Sequence, residues 1–106
     1  MAWLYLGIAS VFEVLWAFAM KQSEGFVRIG WGALTIVTAL LSFAFLALAM
    51  RSLPLGTAYT IWTGIGAAGT FAAGVLVLGE PASSLRLLAA ALIVSGLILM
   101  KLTATE

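Results

Sequence analysis

AWLYLGIASVFEVLWAFAM, residues 2–20, is apolar throughout except for the hydroxyls of Tyr5 and Ser10, the indoles of Trp3 and Trp16, and one acid, Glu13. A helix rises about 1.5 Å per residue, and about 20 residues cross the ~30 Å hydrocarbon core of a bilayer. The stretch therefore reads as a membrane span. A secretory leader is the competing reading, but there is no positive start, no evident cleavage site before Lys21, and an acid inside the apolar run.

The same punctuation continues along the chain. Arg28 and Arg51 bracket 22 uncharged residues, Arg51 and Glu80 bracket 28, and Arg86 and Lys101 bracket 14. The last interval is short, but Arg86 and Lys101 can bury their stems and send their charges to the interface. The expected architecture is all-α and integral to the membrane. Four transmembrane helices at about 2–20, 30–50, 55–78 and 83–102 form a single domain over 1–106. Gly25 stops the first helix, Pro54 restricts Leu53 before the third, and Ser83 or Ser84 caps the fourth.

Composition agrees. Of 106 residues 64% are hydrophobic and 8% charged, against roughly a quarter charged in a soluble domain. The chain has no Cys and no His, which removes disulfides, Cys or His metal ligands and Cys- or His-based catalysis. No nucleophile–base set, metal site or cofactor cradle is legible, so neither an enzyme nor a resident cofactor is expected. A net charge of +1, scattered along the chain, offers nucleic acid no basic patch.

Orientation is weakly specified. Arg51 and Lys101 fall on one side of the membrane, Lys21, Arg28 and Arg86 on the other, too small a bias for the positive-inside rule to act on firmly. Either one direction wins, or the chain inserts both ways and pairs antiparallel. Two opposed copies would supply the inverted symmetry that many transporters carry within one chain.

Glu13 is the one charge away from segment ends, loops and the C-terminus, about 3 Å from the midpoint of its span. An acid there costs on the order of 2.5–3.5 kcal/mol on insertion scales, which marks it as functional rather than structural. Helical spacing places Ser10 and Trp16 on its face. The third span holds Thr57, Tyr59, Thr60, Trp62 and Thr63, a polar cluster suited to a wet cavity, although threonines also bond to their own helix. Ser42 in the second span could donate to the same carboxylate. GIGAAG at 64–69 matches the dinucleotide fingerprint by accident: it follows a helix, and no acid lies about 20 positions on. Gly64, Gly66 and Gly69 instead suit close helix contact and a bend. In the fourth span, Ala91 and Ser95 make a small-xxx-small pair beside Gly96, suited to association between subunits.

These residues together resemble the small multidrug resistance family of four-helix proton-coupled exporters along essentially the whole chain. The resemblance rests on Glu13, on the turn formed by Lys21, Ser23, Gly25 and Phe26, on LPLGTAYTIWTGIGAAG, and on the later GEP with Gly96 and Lys101. FEVLWA with Trp16 looks like the guanidinium-exporter subtype. The resemblance implies a dual-topology, antiparallel homodimer in the bacterial inner membrane, both Glu13 side chains in one cavity. It implies that Trp16, Ser42, Tyr59 and Trp62 surround them, that helix four makes much of the dimer contact, and that two protons exchange for one cation. Ser10 stands where the family usually has Gly and Thr60 where it usually has Ala. Both are expected to face the site, which leaves a broader quaternary-ammonium exporter as the alternative.

The chemistry expected of Glu13 follows from its setting. Guanidinium is a planar permanent cation whose fork of N–H donors fits a carboxylate bidentately. Two nearby carboxyls titrate as a coupled unit, so protons and cation compete for one site.

Overall fold

A computed structural model describes residues 1–104; Glu106, the terminal charge in the sequence, lies outside the described residues. Four helices follow one another: α1 (Ala2–Gln22), α2 (Ile29–Ala49), α3 (Leu55–Leu76) and α4 (Ser84–Leu102). At 19 to 22 residues each, they are about 28–33 Å long, the thickness of a hydrocarbon core. By length and composition α1, α2 and α4 qualify as membrane spans. Helix α3 is equally long, but Thr57, Thr60, Thr63, Thr70 and five glycines stand where the other helices carry more large apolar side chains.

Helix α1 is central, with α2 on one side and α3 on the other, and α4 docks on α3. The result is a slab of 43 × 34 × 16 Å. Its densest packing lies at the end bearing the termini and the second loop. There Leu6 and Ala9 of α1, Leu46 and Ala49 of α2, Leu53, and Ala58, Ile61 and Trp62 of α3 form one buried cluster. At the same end the Lys101 ammonium lies 4.7 Å from the Trp3 ring centroid, tying the close of α4 to the start of α1. Helix α4 buries no residue, and its outward face, with Leu88, Leu92, Ser95 and Leu99, is open. In a bilayer such a face meets lipid or another copy.

Each connector has a local cause. After α1, the Ser23 hydroxyl donates to the Met20 carbonyl at 2.7 Å and accepts from the Phe26 N–H at 3.0 Å. Glu24, Gly25 and Phe26 all take positive φ (51°, 76° and 70°). Two non-glycine residues there cost on the order of 1–3 kcal/mol each. The Ser23 bonds offset part of that cost, and the Phe26 ring seats against Gly32 of α2, 3.1 Å from where a Cβ would stand. Arg28 pairs with Glu24 at 3.8 Å, too exposed to add more than a few tenths of a kcal/mol. Pro54 N-caps α3, and its carbonyl accepts from Ala58 N–H at 3.0 Å. Of the two serines that could cap α4, Ser83 does so, accepting from Arg86 N–H at 3.3 Å.

Helix α3 runs unbroken through Gly64, Gly66 and Gly69. Each glycine admits a neighbour: a Cβ on Gly64 would overlap Leu97 of α4, one on Gly66 the Glu13 side chain, and one on Gly69 would lie 2.7 Å from Val14 Cγ2. The three positions thus set how closely α1 and α4 approach α3.

Candidate functional site around Glu13

Glu13 stands just beyond the dense cluster, on the central helix. Its carboxylate lies directly over Gly66, where any side chain would displace it. Glu13 Oε1 is buried, as is Trp16 Nε1 one turn along α1, and neither has a hydrogen-bond partner among the described residues. A buried polar atom left unpaired costs about 1–3 kcal/mol. An acceptor and a donor one turn apart on α1, both unsatisfied, can each receive a ligand's complementary group.

One turn toward the N-terminus, a hydrogen-bonded chain knits three helices together. Trp62 Nε1 of α3 donates to Ser42 Oγ at 3.0 Å, and the Ser42 hydroxyl donates to the Ala9 carbonyl at 2.6 Å. Ala9 is four residues before Glu13, so this carbonyl also accepts the Glu13 backbone N–H. Ser42 therefore does not donate to the carboxylate, as the sequence allowed. It fixes the backbone that carries it. The Trp62 ring is held in turn by Tyr59 (centroids 5.6 Å apart) and by Phe43 (6.0 Å, edge-on). Trp62→Phe removes the donor while keeping most of the ring. The expected outcome is a loss of about 1 kcal/mol, read as a lower unfolding midpoint in detergent.

The other residues singled out in the sequence divide between two places. Ser10 is fully buried, and its hydroxyl returns to the Leu6 carbonyl at 2.8 Å, leaving little for a ligand to bond. Thr60, expected to face the site, lies about 120° around α3 from Gly66. There it lines a groove of about 500 Å3 between α3 and α4 with Tyr59, Thr63, Gly64 and Gly96. On α4, the Ser95 hydroxyl donates to the Ala91 carbonyl at 2.8 Å, and both residues are exposed. Back-bonding of this kind is the rule for helical hydroxyls here, at Thr35, Thr38 and Thr103 as well. The four threonines of α3 are the exception: among the described residues none donates to a carbonyl of its helix. Spacing alone did not separate the two behaviours.

Comparison with known proteins agrees with this architecture. The family model described as Small Multidrug Resistance protein matches residues 1–93. A protein of Citrobacter freundii named Guanidinium exporter is 50% identical over 103 residues, covering 97% of this chain and 98% of its own. Its namesake in Salmonella typhimurium strain LT2 is 50% identical over 104 residues (98% and 99% covered). That of Escherichia coli K12 is 48% identical over 103 (97% and 98% covered). These relatives are named as exporters, not as enzymes. With four membrane-length helices, one acid at mid-span and a family match over most of its length, the chain belongs to the small multidrug resistance family, as a multi-pass protein of the bacterial inner membrane.

Proposed function

We propose that the protein is a proton-coupled antiporter that exports guanidinium or small substituted guanidinium cations, exchanging them at Glu13 side chains contributed by two antiparallel copies. The observation that carries this reading is the buried, unpaired Glu13 Oε1 over Gly66. A membrane-embedded acceptor without a partner needs either a proton or a cation. A guanidinium brings the paired N–H donors that a carboxylate binds best. The relatives named Guanidinium exporter support the same choice of cation.

Exchange follows from mutual exclusion. An ionised carboxylate pair without ligand is costly to carry past an apolar constriction, so the empty transporter switches sides slowly. Protons or the cation neutralise the pair and lower that barrier. With two protons exchanged for one monovalent cation, one net charge moves per cycle, worth ~2.3 kcal/mol per 100 mV. Trp16, Ser42, Tyr59 and Trp62 position the carboxylate, Gly64, Gly66 and Gly69 allow α3 to bend during exchange, and Ala91, Ser95 and Gly96 serve the dimer. The open outer face of α4 supports that last assignment.

The direct test is solid-supported-membrane electrophysiology on proteoliposomes, comparing guanidinium, alkylated guanidines and tetramethylammonium across pH. Saturable, proton-dependent currents with guanidinium are expected. Currents that scale with voltage and ignore the pH gradient would instead identify a pore. Topology has its own test. Two lysines added to the loop at Arg51–Pro54 should orient every copy one way and lower activity when that variant is expressed alone. Full activity in a uniformly oriented population would exclude the antiparallel pair.

A further inference from the structure

The seam between α1 and α3 continues past Glu13 toward the loop end. The two helices are parallel in chain direction, and their facing positions advance together: Glu13, Ala17 and Lys21 on α1, Gly66, Thr70 and Gly74 on α3. Residues spaced by four lie one above another on a helix. At the loop end this stripe opens into a pocket of about 200 Å3, lined by Ala17, Lys21, Thr70, Gly74 and, from the connector after α3, Glu80. The pairing seen at mid-membrane recurs there. A Cβ on Gly74 would overlap the Glu80 carboxylate, as one on Gly66 would overlap that of Glu13.

The connector is built to put Glu80 in that position. Both the Leu78 and Glu80 N–H groups donate to the Gly74 carbonyl, at 3.2 and 3.0 Å, and Gly79 between them takes φ 71°. That left-handed residue suits Gly and strains other side chains. The chain is thereby folded back so that Glu80 overlies the last turn of the stripe. Lys21 lines the same pocket, yet its ammonium and the Glu80 carboxylate do not approach within ion-pair distance among the described residues. Thr70, about 6 Å along the axis from either carboxylate level, keeps its hydroxyl off its own helix.

We propose that Glu80 is a second, outer station for the cation at the mouth of the α1–α3 seam, where the Lys21 ammonium acts as a tethered competitor for the same carboxylate. This rests on the reading of Glu13 as the exchange site. The ligand class is a small monovalent cation with N–H donors. It meets Glu80 first, keeps the neighbouring lysine off that carboxylate, and descends two helical turns past Thr70 to Glu13. In an antiparallel pair each membrane face has one such mouth.

Proteoliposomes of the full chain test this with guanidinium ion as the probe, KM and maximal current being measured at low and high ionic strength. Glu80→Gln is expected to raise KM about fivefold and to remove most of its dependence on salt. Lys21→Gln is expected to shift KM the other way, since the competitor is gone, and Glu80→Asp to keep the salt dependence. A loop that served structure alone would not yield opposite shifts from the two charges. An unchanged KM and salt dependence in Glu80→Gln overturns the outer station, as does a rise in KM in Lys21→Gln. Absence of any guanidinium response in the wild type, matching Glu13→Gln, overturns the exchange reading itself and the outer station with it.

Discussion

Glu13→Gln is expected to reduce proton-coupled guanidinium exchange to the level of protein-free liposomes while leaving the protein folded and inserted. The side chains are nearly the same size, so the fit over Gly66 is retained. The amide cannot ionise, and it presents donors where a guanidinium needs acceptors. Insertion should not worsen, because the amide carries no charge to desolvate. A variant at least as stable as the wild type but without transport would separate function from folding. Glu13→Asp is a useful companion: it keeps the charge but withdraws it by one methylene, and misplacement of about 1 Å can cost up to ~100-fold. Uptake in Glu13→Gln that still followed the proton gradient would end the mechanism, since every other charge among the described residues stands at a helix end or in a connector.

The fold was readable because the solvent imposes it. In a bilayer the backbone must satisfy itself within each helix, so charges at Lys21, Arg28, Arg51, Glu80, Arg86 and Lys101 mark where helices stop. Ser83 as the cap of α4 and the turn at Ser23 were legible for equally local reasons. The site was readable only in part. Glu13 announces itself by cost, but the acceptor of the Ser42 hydroxyl lies 33 residues away on α1. No periodicity within α2 sets that distance; it depends on how far α1 and α2 slide before Ala9 meets Ser42. The same holds for the glycines of α3. Their spacing says that something approaches closely, whereas the register of α1 and α4 decides that Gly66 meets an acid, Gly69 a valine and Gly64 a leucine. Thr60 shows the limit from the other side. It belongs to the same polar cluster as Trp62, yet two residues of helical rotation place it in the α3–α4 groove instead.

The packing is also uneven in a way that bears on exchange. Leu6, Leu46, Leu53, Ile61 and Trp62 fill one end of the bundle, where the Trp62–Ser42–Ala9 chain fastens three helices. Beyond Glu13 the buried positions are small or hydroxylated: Ala19, Gly32, Thr35, Thr38, Gly66 and Gly74. In lipid, helix association rests on van der Waals packing and interhelical hydrogen bonds rather than on removal from water, and among the described residues the loop-side half has no interhelical bond like the Trp62–Ser42–Ala9 chain. A transporter that opens to two sides needs one fixed end and one yielding end. Glu13 lies at the boundary between them, where a small rotation of α3 changes what the carboxylate faces without disturbing the buried cluster.

Gly66→Ala gives the second large effect and tests that boundary. The added methyl would occupy the place of Glu13 Oε1 and crowd the side chain as far back as its Cγ. The carboxylate must leave its seat, either through a strained rotamer costing about 0.5–1.5 kcal/mol or through separation of α1 from α3. The expected result is a fall in exchange of about tenfold or more, since a reacting group displaced by about 1 Å loses up to ~100-fold. Stability should hardly suffer, because Ala favours a helix over Gly by about 0.8–1.0 kcal/mol. Gly56→Ala, where a Cβ would meet open space, supplies the control: the same gain in helix propensity, without contact to the acid. Gly64→Ala and Gly69→Ala divide the two roles a glycine can play here. If backbone flexibility alone matters, all three substitutions in the segment slow exchange alike. If the seat of the carboxylate matters, Gly66→Ala alone also weakens guanidinium affinity, because only it moves the atoms that hold the cation. Wild-type rates and affinity in Gly66→Ala would mean that Glu13 works from some other position than the one over α3, and the geometry proposed for exchange would have to be abandoned.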